Sequence, residues 1–495
     1  SKVKKMPSVG YALNRAGGLA YQDSIKMALY RQVATSLWSG DGYYEKEAEW
    51  LARFQRNVSQ VCSEDIQFPF ALAAYARDKS GLALRTSAIA LYVEALCSPE
   101  ARGTGLARKY ARRILARADE PAEAIAYYRS HHEGILPHGL LKGIADTLPD
   151  FDEYQLARYK KTGAVSLRDV FRLARPKPGN DVQRQLWERV VTKKLQVPYT
   201  WEVELSKAKT DEAKRLAWDE LISSGRLGLF ALVRNLRNML NYHANIEEAL
   251  SQITRERVQG SGILPFQWYK AYHAVASVAG EAIARPLEQA LEWSVSGIPH
   301  LPGTTLVACD NSGSMASISG TRGMTNAEIA NLMGALALFI SENGFCGTFG
   351  DTFALAPTDE TFNIFFNKEQ IDRTGATTGW STNAWKVFEF LIQNKLKVDR
   401  VILFSDMQCY DSGARYLPDA LVSHSLSAEL DAYLMIQPQV KIYSVNLASQ
   451  DNSCQFSPQQ PVVELAGWSE SIFHFIQAME VAPSVLDTIL EDYRC

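Results

Sequence analysis

Residues 1–300 are dominated by apolar side chains at helical spacing. Apolar residues recur at intervals of three and four, as at Leu229, Leu232, Val233 and Leu236. This spacing puts the apolar side chains on one face of a helix, so the segment predicts a long series of amphipathic helices. Many short helices joined by short loops favour stacked helical pairs, that is, an α-solenoid, although no clean repeat period is visible. An ordinary helical bundle is the alternative.

The pattern changes near residue 300, where Pro299 and Pro302 interrupt it. Short β-rich apolar runs then alternate with helical segments, which predicts a doubly wound, mostly parallel sheet. We therefore expect a helical module over residues 1–300 and an α/β domain over residues 301–495, an α plus α/β chain. Strands are predicted at residues 305–309, 347–354, 361–366, 399–404, 439–446 and 472–475, and helices at 268–295 and 327–343, among others.

Oxygen-bearing side chains follow two of the predicted strands. Asp310, Ser312 and Ser314 form an Asp-x-Ser-x-Ser loop after the first strand, and Asp406 ends the apolar run at residues 401–404. Thr382 lies in a third loop, just before a predicted helix. Ligands of open parallel sheets bind beyond the carboxyl ends of the strands, and hard cations such as Mg²⁺ prefer oxygen ligands. We therefore predict a divalent cation site, with Mg²⁺ as the expected ion.

This donor set favours binding over catalysis. Three hydroxyls and two carboxylates leave a divalent ion incompletely neutralised and ready to accept an acidic ligand. Hydrolysis generally uses more carboxylates around two metals, or a placed general base, so we predict no catalytic residue. Thr378 is the alternative source of the third hydroxyl. The alternative to a metal site is an α/β domain whose loop Ser and Asp residues are incidental.

Charge is divided unevenly along the chain. Residues 301–495 hold 10 basic and 22 acidic residues, whereas residues 1–300 hold 42 and 33. An excess of positive charge favours a polyanion such as RNA as partner, with a solvated helical surface as the alternative. The basic residues form two clusters: the first is Arg102, Arg108, Lys109, Arg112, Arg113 and Arg117, and the second is Arg158, Lys160, Lys161, Arg168, Arg172, Arg175 and Lys177. In the first cluster, Lys109, Arg113 and Arg117 are spaced to share one helix face. The candidate RNA ligands are Arg108, Lys109, Arg112, Arg113, Arg158, Lys160, Lys161, Arg168, Arg172 and Arg175, with Tyr154 and Tyr159 placed to stack on bases.

The seven cysteines are scattered and never spaced as Cys-x-x-Cys. This argues against zinc and against a disulfide scaffold, and favours a reducing compartment, so we expect a cytoplasmic protein. A membrane span needs about 18 or more consecutive apolar residues, and no such run is present. Neither a membrane partner nor a secretory signal is expected. His131, His132 and His138 lack ligand spacing and are expected at the surface or at helix ends.

Several stretches resemble the TROVE module of the Ro autoantigen family. They are residues 137–146, 154–161, 167–178 and 229–239. The Asp-x-Ser-x-Ser loop, with its downstream Thr and Asp, resembles the metal-ion-dependent adhesion site of von Willebrand factor A domains. Ro proteins, including the bacterial ones, carry such a domain directly after the helical module, so the resemblance covers nearly the whole chain.

The resemblance implies a ring of HEAT-like helical repeats closed by the A domain. It implies Y RNA on the outer basic surface, single-stranded ends of misfolded RNA in the central hole, and a link to exoribonucleases such as polynucleotide phosphorylase. Residues 158–161 and 168–175 match the family's Y RNA contacts. A family histidine corresponds to Arg175, which keeps positive charge but loses the imidazole. Arg108, Lys109, Arg112 and Arg113 rest on charge and spacing alone.

Three functions follow as hypotheses. The leading one is a non-catalytic RNA-binding scaffold that aids RNA quality control or processing. The second is a protein-binding adhesion module, whose metal site would hold an acidic protein ligand. The third, a metal-dependent nuclease centred on Asp310 and Asp406, is not favoured by the donor set.

Overall fold

A computed structural model describes the chain in thirteen segments. The predicted RNA ligands Lys160 and Lys161 lie outside the described residues, so their prediction has no structural account. The segments are residues 11–13, 19–21, 25–35, 46–78, 81–82, 84–159, 163–298, 300–317, 324–406, 425–447, 460–466, 471–480 and 483–495.

The N-terminal part is almost entirely helical. It begins with an antiparallel strand pair, and short 3-10 turns follow α4 and α7. Among the described residues no helix has the length and apolar content that a membrane crossing requires. The elements are β1 Tyr11–Leu13, β2 Leu19–Tyr21, α1 Ile25–Thr35, α2 Lys46–Glu64, α3 Gln67–Arg77, α4 Arg85–Cys97, α5 Leu106–Ile114, α6 Glu120–His131, α7 His138–Thr147, α8 Glu153–Arg158, α9 Leu167–Ala174, α10 Asp181–Val191, α11 Trp201–Lys207, α12 Asp211–Ser223, α13 Leu229–Asn241, α14 Ile246–Ser251, α15 Arg255–Gln259, α16 Pro265–Ala279 and α17 Glu281–Val295.

Local signals determine where many of these helices begin and end. Ser166 starts α9 with a capping box, in which its hydroxyl accepts from the Asp169 amide at 3.2 Å and Asp169 Oδ2 accepts from the Ser166 amide at 3.0 Å. Such caps contribute about 1 kcal/mol because they satisfy amides that the first turn leaves unpaired. The prediction of one helix over residues 268–295 is wrong. Gly280, at φ +87°, separates α16 from α17, since glycine alone adopts this conformation without strain.

Helices that are adjacent or next but one in the sequence pack on one another in this module. α3 lies against α4 and α5, α5 against α7, α7 against α9, and α16 against α17. Aromatic rings fill the first of these contacts: Phe70 lies 6.1 Å from Tyr92 and 5.6 Å from Tyr110, centre to centre. The predicted α-solenoid of helical repeats is confirmed.

The C-terminal part contains a six-stranded sheet among its described residues, in the order β5-β4-β3-β6-β7-β8. β5 is antiparallel to β4, and the other neighbours are parallel. The predicted doubly wound sheet is confirmed. Its elements are β3 Leu301–Asp310, α18 Asn326–Ile340, β4 Ser341–Phe349, β5 Phe353–Leu355, α19 Ile364–Gly375, α20 Trp385–Gln393, β6 Arg400–Ser405, α21 Leu426–Ile436, β7 Lys441–Asn446, β8 Val462–Ala466, α22 Ser471–Glu480 and α23 Pro483–Tyr493.

Several predicted elements of this domain were wrong. The segment 347–354 is not one strand, because the chain reverses between β4 and β5. Residues 361–366 lead into α19, whose first turn is capped when Asn363 Oδ1 accepts from the Phe366 amide at 2.7 Å. Residues 472–475 belong to α22, where the buried side chains Ile472, Phe473, Phe475 and Ile476 follow a helical period rather than an alternating one. Strand β8 was not predicted.

The sheet domain contacts the helical module at both of its ends. Near the start, Tyr30 of α1 lies 5.8 Å from Phe475 of α22, and Tyr75 of α3 lies 5.4 Å from Tyr493 of α23. Near the end, Tyr272 of α16 lies 4.5 Å from Phe365 of α19. The chain of contacts thus closes on itself, with the sheet domain joining the first helices to the last.

Candidate functional site

The candidate metal site lies between the two central strands of the sheet. β3 and β6 are parallel neighbours, and Cys309 is paired with Phe404, so Asp310 and Asp406 both follow at the same edge. From this point the strand order proceeds in opposite directions, to β4 on one side and to β7 on the other. Such a switch point opens a crevice beyond the strand ends, where open α/β sheets bind their ligands. The structure therefore brings the two predicted carboxylates together.

Asp310 is fully buried and firmly held. Its Oδ1 accepts from the Ser312 amide at 2.9 Å, and its Oδ2 accepts from the Ser405 hydroxyl at 2.6 Å. Burial, and to a lesser degree the charge of Asp406, raises the pKa of Asp310 to about 7, although the hydrogen bonds oppose this change. Among the described residues no positive side chain offsets the burial of this carboxylate, and a bound cation would do so.

The serine loop and the threonine loop are joined by the main chain. The amide of Gly313 donates to the carbonyl of Trp380 at 2.9 Å, and the Ser312 and Ser314 hydroxyl oxygens lie 3.3 Å apart. Thr382 is buried nearby, at 3% exposure. The Thr378 hydroxyl donates to the Gly375 carbonyl at 3.1 Å, and its oxygen lies 3.4 Å from the Thr348 hydroxyl oxygen. Thr382 stays the predicted third hydroxyl ligand, with Thr378 as the alternative.

Two residues that sequence reasoning missed support this arrangement. Ser405 binds Asp310 from the end of β6, and Asp351 accepts from the Ser381 amide at 2.9 Å. A Cβ at Gly350 would lie 2.4 Å from the Gly379 carbonyl oxygen, so only glycine permits this close approach. The sequence could have identified Ser405, because it places a hydroxyl directly before Asp406 at the end of a strand. Nothing in the local sequence indicates Asp351, because its contact spans 30 residues.

A chain of polar contacts links the serine loop to the helical module. Asn311 donates to Asn331 Oδ1 at 2.9 Å, and Asn331 donates to Asp372 Oδ1 at 2.7 Å. Lys368 in turn donates to Asp372 at 2.7 Å, and its ammonium lies 4.8 Å from the ring centre of Tyr269 in α16. These contacts therefore connect the serine loop to α16 of the helical module.

The donor set fits a hard divalent cation. Among the described residues no three His, Cys, Asp or Glu side chains lie together as a metal cluster. A softer ion such as Zn²⁺ prefers nitrogen or sulfur ligands, and none of the five candidate ligands supplies these atoms. Two carboxylates with three hydroxyls suit an ion that retains water, as Mg²⁺ does. The ligand roles of Asp310, Ser312, Ser314, Thr382 and Asp406 remain predictions.

Two arginines, Arg117 of the first basic cluster and Arg158 of the second, lie against one tyrosine ring. Their guanidinium carbons lie 4.7 Å and 5.4 Å from the ring centre of Tyr159. Arg117 also donates to both carboxylate oxygens of Asp119, at 2.6 Å each, so its charge is already paired. Arg158 donates to the hydroxyl of the exposed Tyr154 at 3.2 Å. Arg158 and Tyr154 therefore offer a phosphate contact and a stacking surface.

The arginines of α9 lie at its solvent side and its end. Arg172 is exposed in the last turn, and Arg175 is exposed at the C-cap with φ +47°. Arg168 is partly buried. The charge of Arg172 contributes to a lowered pKa of Asp169, although the hydrogen bonds from Ser166 are the main cause. Arg172 and Arg175 are thus free to meet a large ligand.

The first basic cluster is partly neutralised within the protein. Arg108 binds both oxygens of Asp146, at 2.7 Å and 3.0 Å, and Arg112 donates to the Asp146 carbonyl at 2.9 Å. Lys109 and Arg113 are exposed on the same helix. The predicted shared face with Arg117 is wrong, because α5 ends at Ile114. The histidines are as expected: His131 ends α6, His138 begins α7, and His132 contacts Glu94 at 3.1 Å.

The helical repeats form a stack, and a von Willebrand factor A-like sheet domain closes this stack into a ring. This architecture defines the class of protein. The chain belongs to the TROVE domain family, whose model matches residues 22–193 and 190–291. The Ro (RSR) protein of Deinococcus radiodurans has the same fold, with a TM-score of 0.65 over 92% of this chain and 99% of that one, at 16% sequence identity. The predicted resemblance to the Ro family is confirmed. No protein with a curated description matches the sequence significantly.

Proposed function

We propose that this protein is a non-catalytic RNA-binding scaffold. It holds small noncoding Y RNA on the basic surface of α5, α8 and α9, and single-stranded ends of misfolded RNA in the ring. In this role it supports RNA quality control or processing by an exoribonuclease such as polynucleotide phosphorylase. The observation that carries the proposal is the exposed Arg172 and Arg175 at the C-terminal end of α9, in a chain with the TROVE fold.

One helix connects the two that carry the basic clusters. α7 packs against both α5, which carries Lys109, and α9, which carries Arg172. Each phosphate that such a surface neutralises releases bound counterions. Affinity should then fall steeply with salt, by a slope of about 0.7 to 0.9 per phosphate contact.

The metal site serves docking in this proposal. Mg²⁺ held by Asp310, Ser312, Ser314, Thr382 and Asp406 would supply a positive centre for an acidic ligand. Trp380 supports this role, because it lies in the threonine loop with 80% of its surface exposed. Exposed tryptophans at a site's rim are frequent anchors of protein contacts.

The test is RNA affinity of the double variant Arg172→Glu with Arg175→Glu. We expect binding of a labelled Y RNA-like hairpin to weaken at least about tenfold, with a shallower salt dependence, because two phosphate contacts are lost. Fluorescence anisotropy over a salt series measures both quantities. Lys395→Glu with Lys397→Glu is the matched control, since it changes the net charge equally on the exposed surface of the sheet domain. Equal affinity in the two double variants would contradict the proposal.

The exposed Trp380 beside the cation ligands favours one competing function, a protein-binding adhesion module that holds no RNA. Nucleic acid that copurifies with the full chain, seen as high absorbance at 260 nm, separates the two functions. Incubation of labelled RNA with the purified chain and Mg²⁺ tests the nuclease hypothesis, and the proposal expects the RNA to stay intact.

A further inference from the structure

A surface pocket of about 740 Å³ lies among the ends of four helices. The C-terminal ends of α4 and α6 form one wall, and the N-terminal ends of α5 and α7 form the other. This volume is in the range of pockets that hold a small ligand. The pocket belongs to neither the metal site nor the α9 surface.

The walls of the pocket carry positive charge. Arg102, Arg108 and Lys142 line it, together with His132 and His138. Of these, Arg108 is bound to Asp146, whereas Arg102 and Lys142 are exposed. Among the described residues that line the pocket there is no aspartate or glutamate. The amides that begin α5 and α7 add partial positive charge, and the carbonyls that end α4 and α6 add partial negative charge, so the helix ends largely offset one another. The side chains of Arg102 and Lys142 leave the pocket with positive charge, which suits an anion.

A stacked ring pair provides a flat apolar wall. The rings of Tyr128 and His132 are 5.2 Å apart and nearly parallel, at 9°. His132 contacts Glu94 Oε1 at 3.1 Å, and this oxygen also accepts from Gln55 at 3.0 Å and from Tyr127 at 2.8 Å. The imidazole is thus held in one orientation, with 23% of its side chain exposed. A planar ligand would meet a preorganised surface there.

The mouth of the pocket is equally fixed. The Tyr128 hydroxyl hydrogen-bonds to the carbonyl oxygens of Glu133 and Ile135, at 3.2 Å and 3.0 Å, which holds the loop between α6 and α7. Ile135 lines the pocket and leaves 94% of its surface exposed. Next to the lining residue Lys142, a Cβ at Gly143 would lie 2.7 Å from the Tyr92 hydroxyl, which shows how closely α7 packs on α4 at this point. The pocket therefore lies among closely packed helices.

We propose that this pocket binds one nucleoside monophosphate group. Arg102 and Lys142 hold the phosphate, and the base stacks near His132 and Ile135. The group comes either from the end of an RNA strand or from a free nucleotide. The first source rests on the proposed RNA-binding function, and the pocket would then grip a strand end separately from the α9 surface.

The test is a calorimetric titration, in which adenosine 5′-monophosphate is added to the full chain and the heat of binding is measured. We expect saturable binding that Arg102→Glu with Lys142→Glu weakens at least about tenfold, because charge-assisted hydrogen bonds to phosphate are lost. Both side chains are exposed, so the variant should fold. Lys395→Glu with Lys397→Glu is the control: both side chains are exposed on the sheet domain outside the pocket, the net charge changes equally, and nucleotide binding should be unchanged.

Competition identifies the source of the group. A single-stranded hexamer with a 5′-phosphate should displace the nucleotide if the pocket holds strand ends, whereas a 5′-hydroxyl hexamer should displace it more weakly. If neither hexamer competes, the pocket serves free nucleotides. Absence of saturable nucleotide binding, or equal affinity in Arg102→Glu with Lys142→Glu and in the wild type, overturns the proposal. Hairpin binding in the same preparations tests the scaffold independently.

Discussion

The two parts of this chain present their functional groups in opposite ways. In the sheet domain Asp310, Thr382 and Asp406 are almost completely buried, and main-chain and hydroxyl donors hold Asp310 and the loops around it. In the helical module Arg172 and Arg175 are exposed at the end of one helix. A small ion needs ligands positioned within a fraction of an ångström, whereas a polyanion needs mainly charge. The difference in burial therefore matches the difference in expected ligand.

The largest effect should come from a buried ion pair of the sheet domain. Arg400, at 1% exposure, donates through Nε to Glu480 at 2.6 Å and through Nη1 to Thr305 at 2.7 Å. Glu480→Ala should lower the free energy of unfolding by about 3 to 5 kcal/mol, because it leaves a buried guanidinium without its partner. Chemical denaturation measures this loss, and adding Arg400→Met should restore part of it.

The exposed ion pair Arg108–Asp146 of the helical module is the comparison for the buried pair Arg400–Glu480. Asp146→Ala removes the partner of Arg108, whose side chain is 56% exposed. We expect no measurable change in stability, since water solvates the freed guanidinium. A loss as large as that of Glu480→Ala would remove the contrast between the two regions.

A smaller effect is expected from the cation. Mg²⁺ at about 100 times its dissociation constant should stabilise the protein by about 2.7 kcal/mol if it binds only the folded state. Thermal unfolding with and without Mg²⁺ measures this gain, which Asp310→Ala and Thr382→Val should reduce. Thr378→Val is the control, and a greater loss of the Mg²⁺ effect there than in Thr382→Val would reverse the assignment of the third hydroxyl.

The smallest of the measurable effects concerns pH. The hydrogen bond to Glu94 raises the pKa of His132, so the pair stabilises the fold below the ordinary histidine pKa and this contribution is lost as pH rises through the raised value. His132→Ala should therefore cost more stability near about pH 6 than near about pH 9. Denaturation at the two pH values checks the sign, and a cost that grows with pH would contradict it.

The sequence indicates which candidate metal ligands lie close together better than it indicates which basic residues are exposed and unpaired, for a physical reason. Asp310, Ser312 and Ser314 are close in the chain, and Asp406 ends a strand whose direction the apolar pattern reveals. Buried polar groups need specific partners, so their spacing carries information. Asp351 was missed because its contact depends on the folded loops.

Exposed arginines carry less information. Charge and spacing alone could not show that Arg108 and Arg112 are already bound to the segment around Asp146, or that α5 ends before Arg117. The same limit explains the wrong strands at residues 361–366 and 472–475, where short apolar runs fit a strand or a helix equally well.

The central claim is that RNA contacts the helical module and that the sheet domain does no chemistry on it. Ultraviolet crosslinking of the full chain to a Y RNA-like hairpin in Mg²⁺, with mass spectrometry of the peptides, tests this most directly. We predict crosslinks at Tyr154, Tyr159 and neighbouring residues of α5 to α9, on uncleaved RNA. Crosslinks confined to residues 301–495, or cleaved RNA that Asp310→Ala leaves intact, would contradict the account.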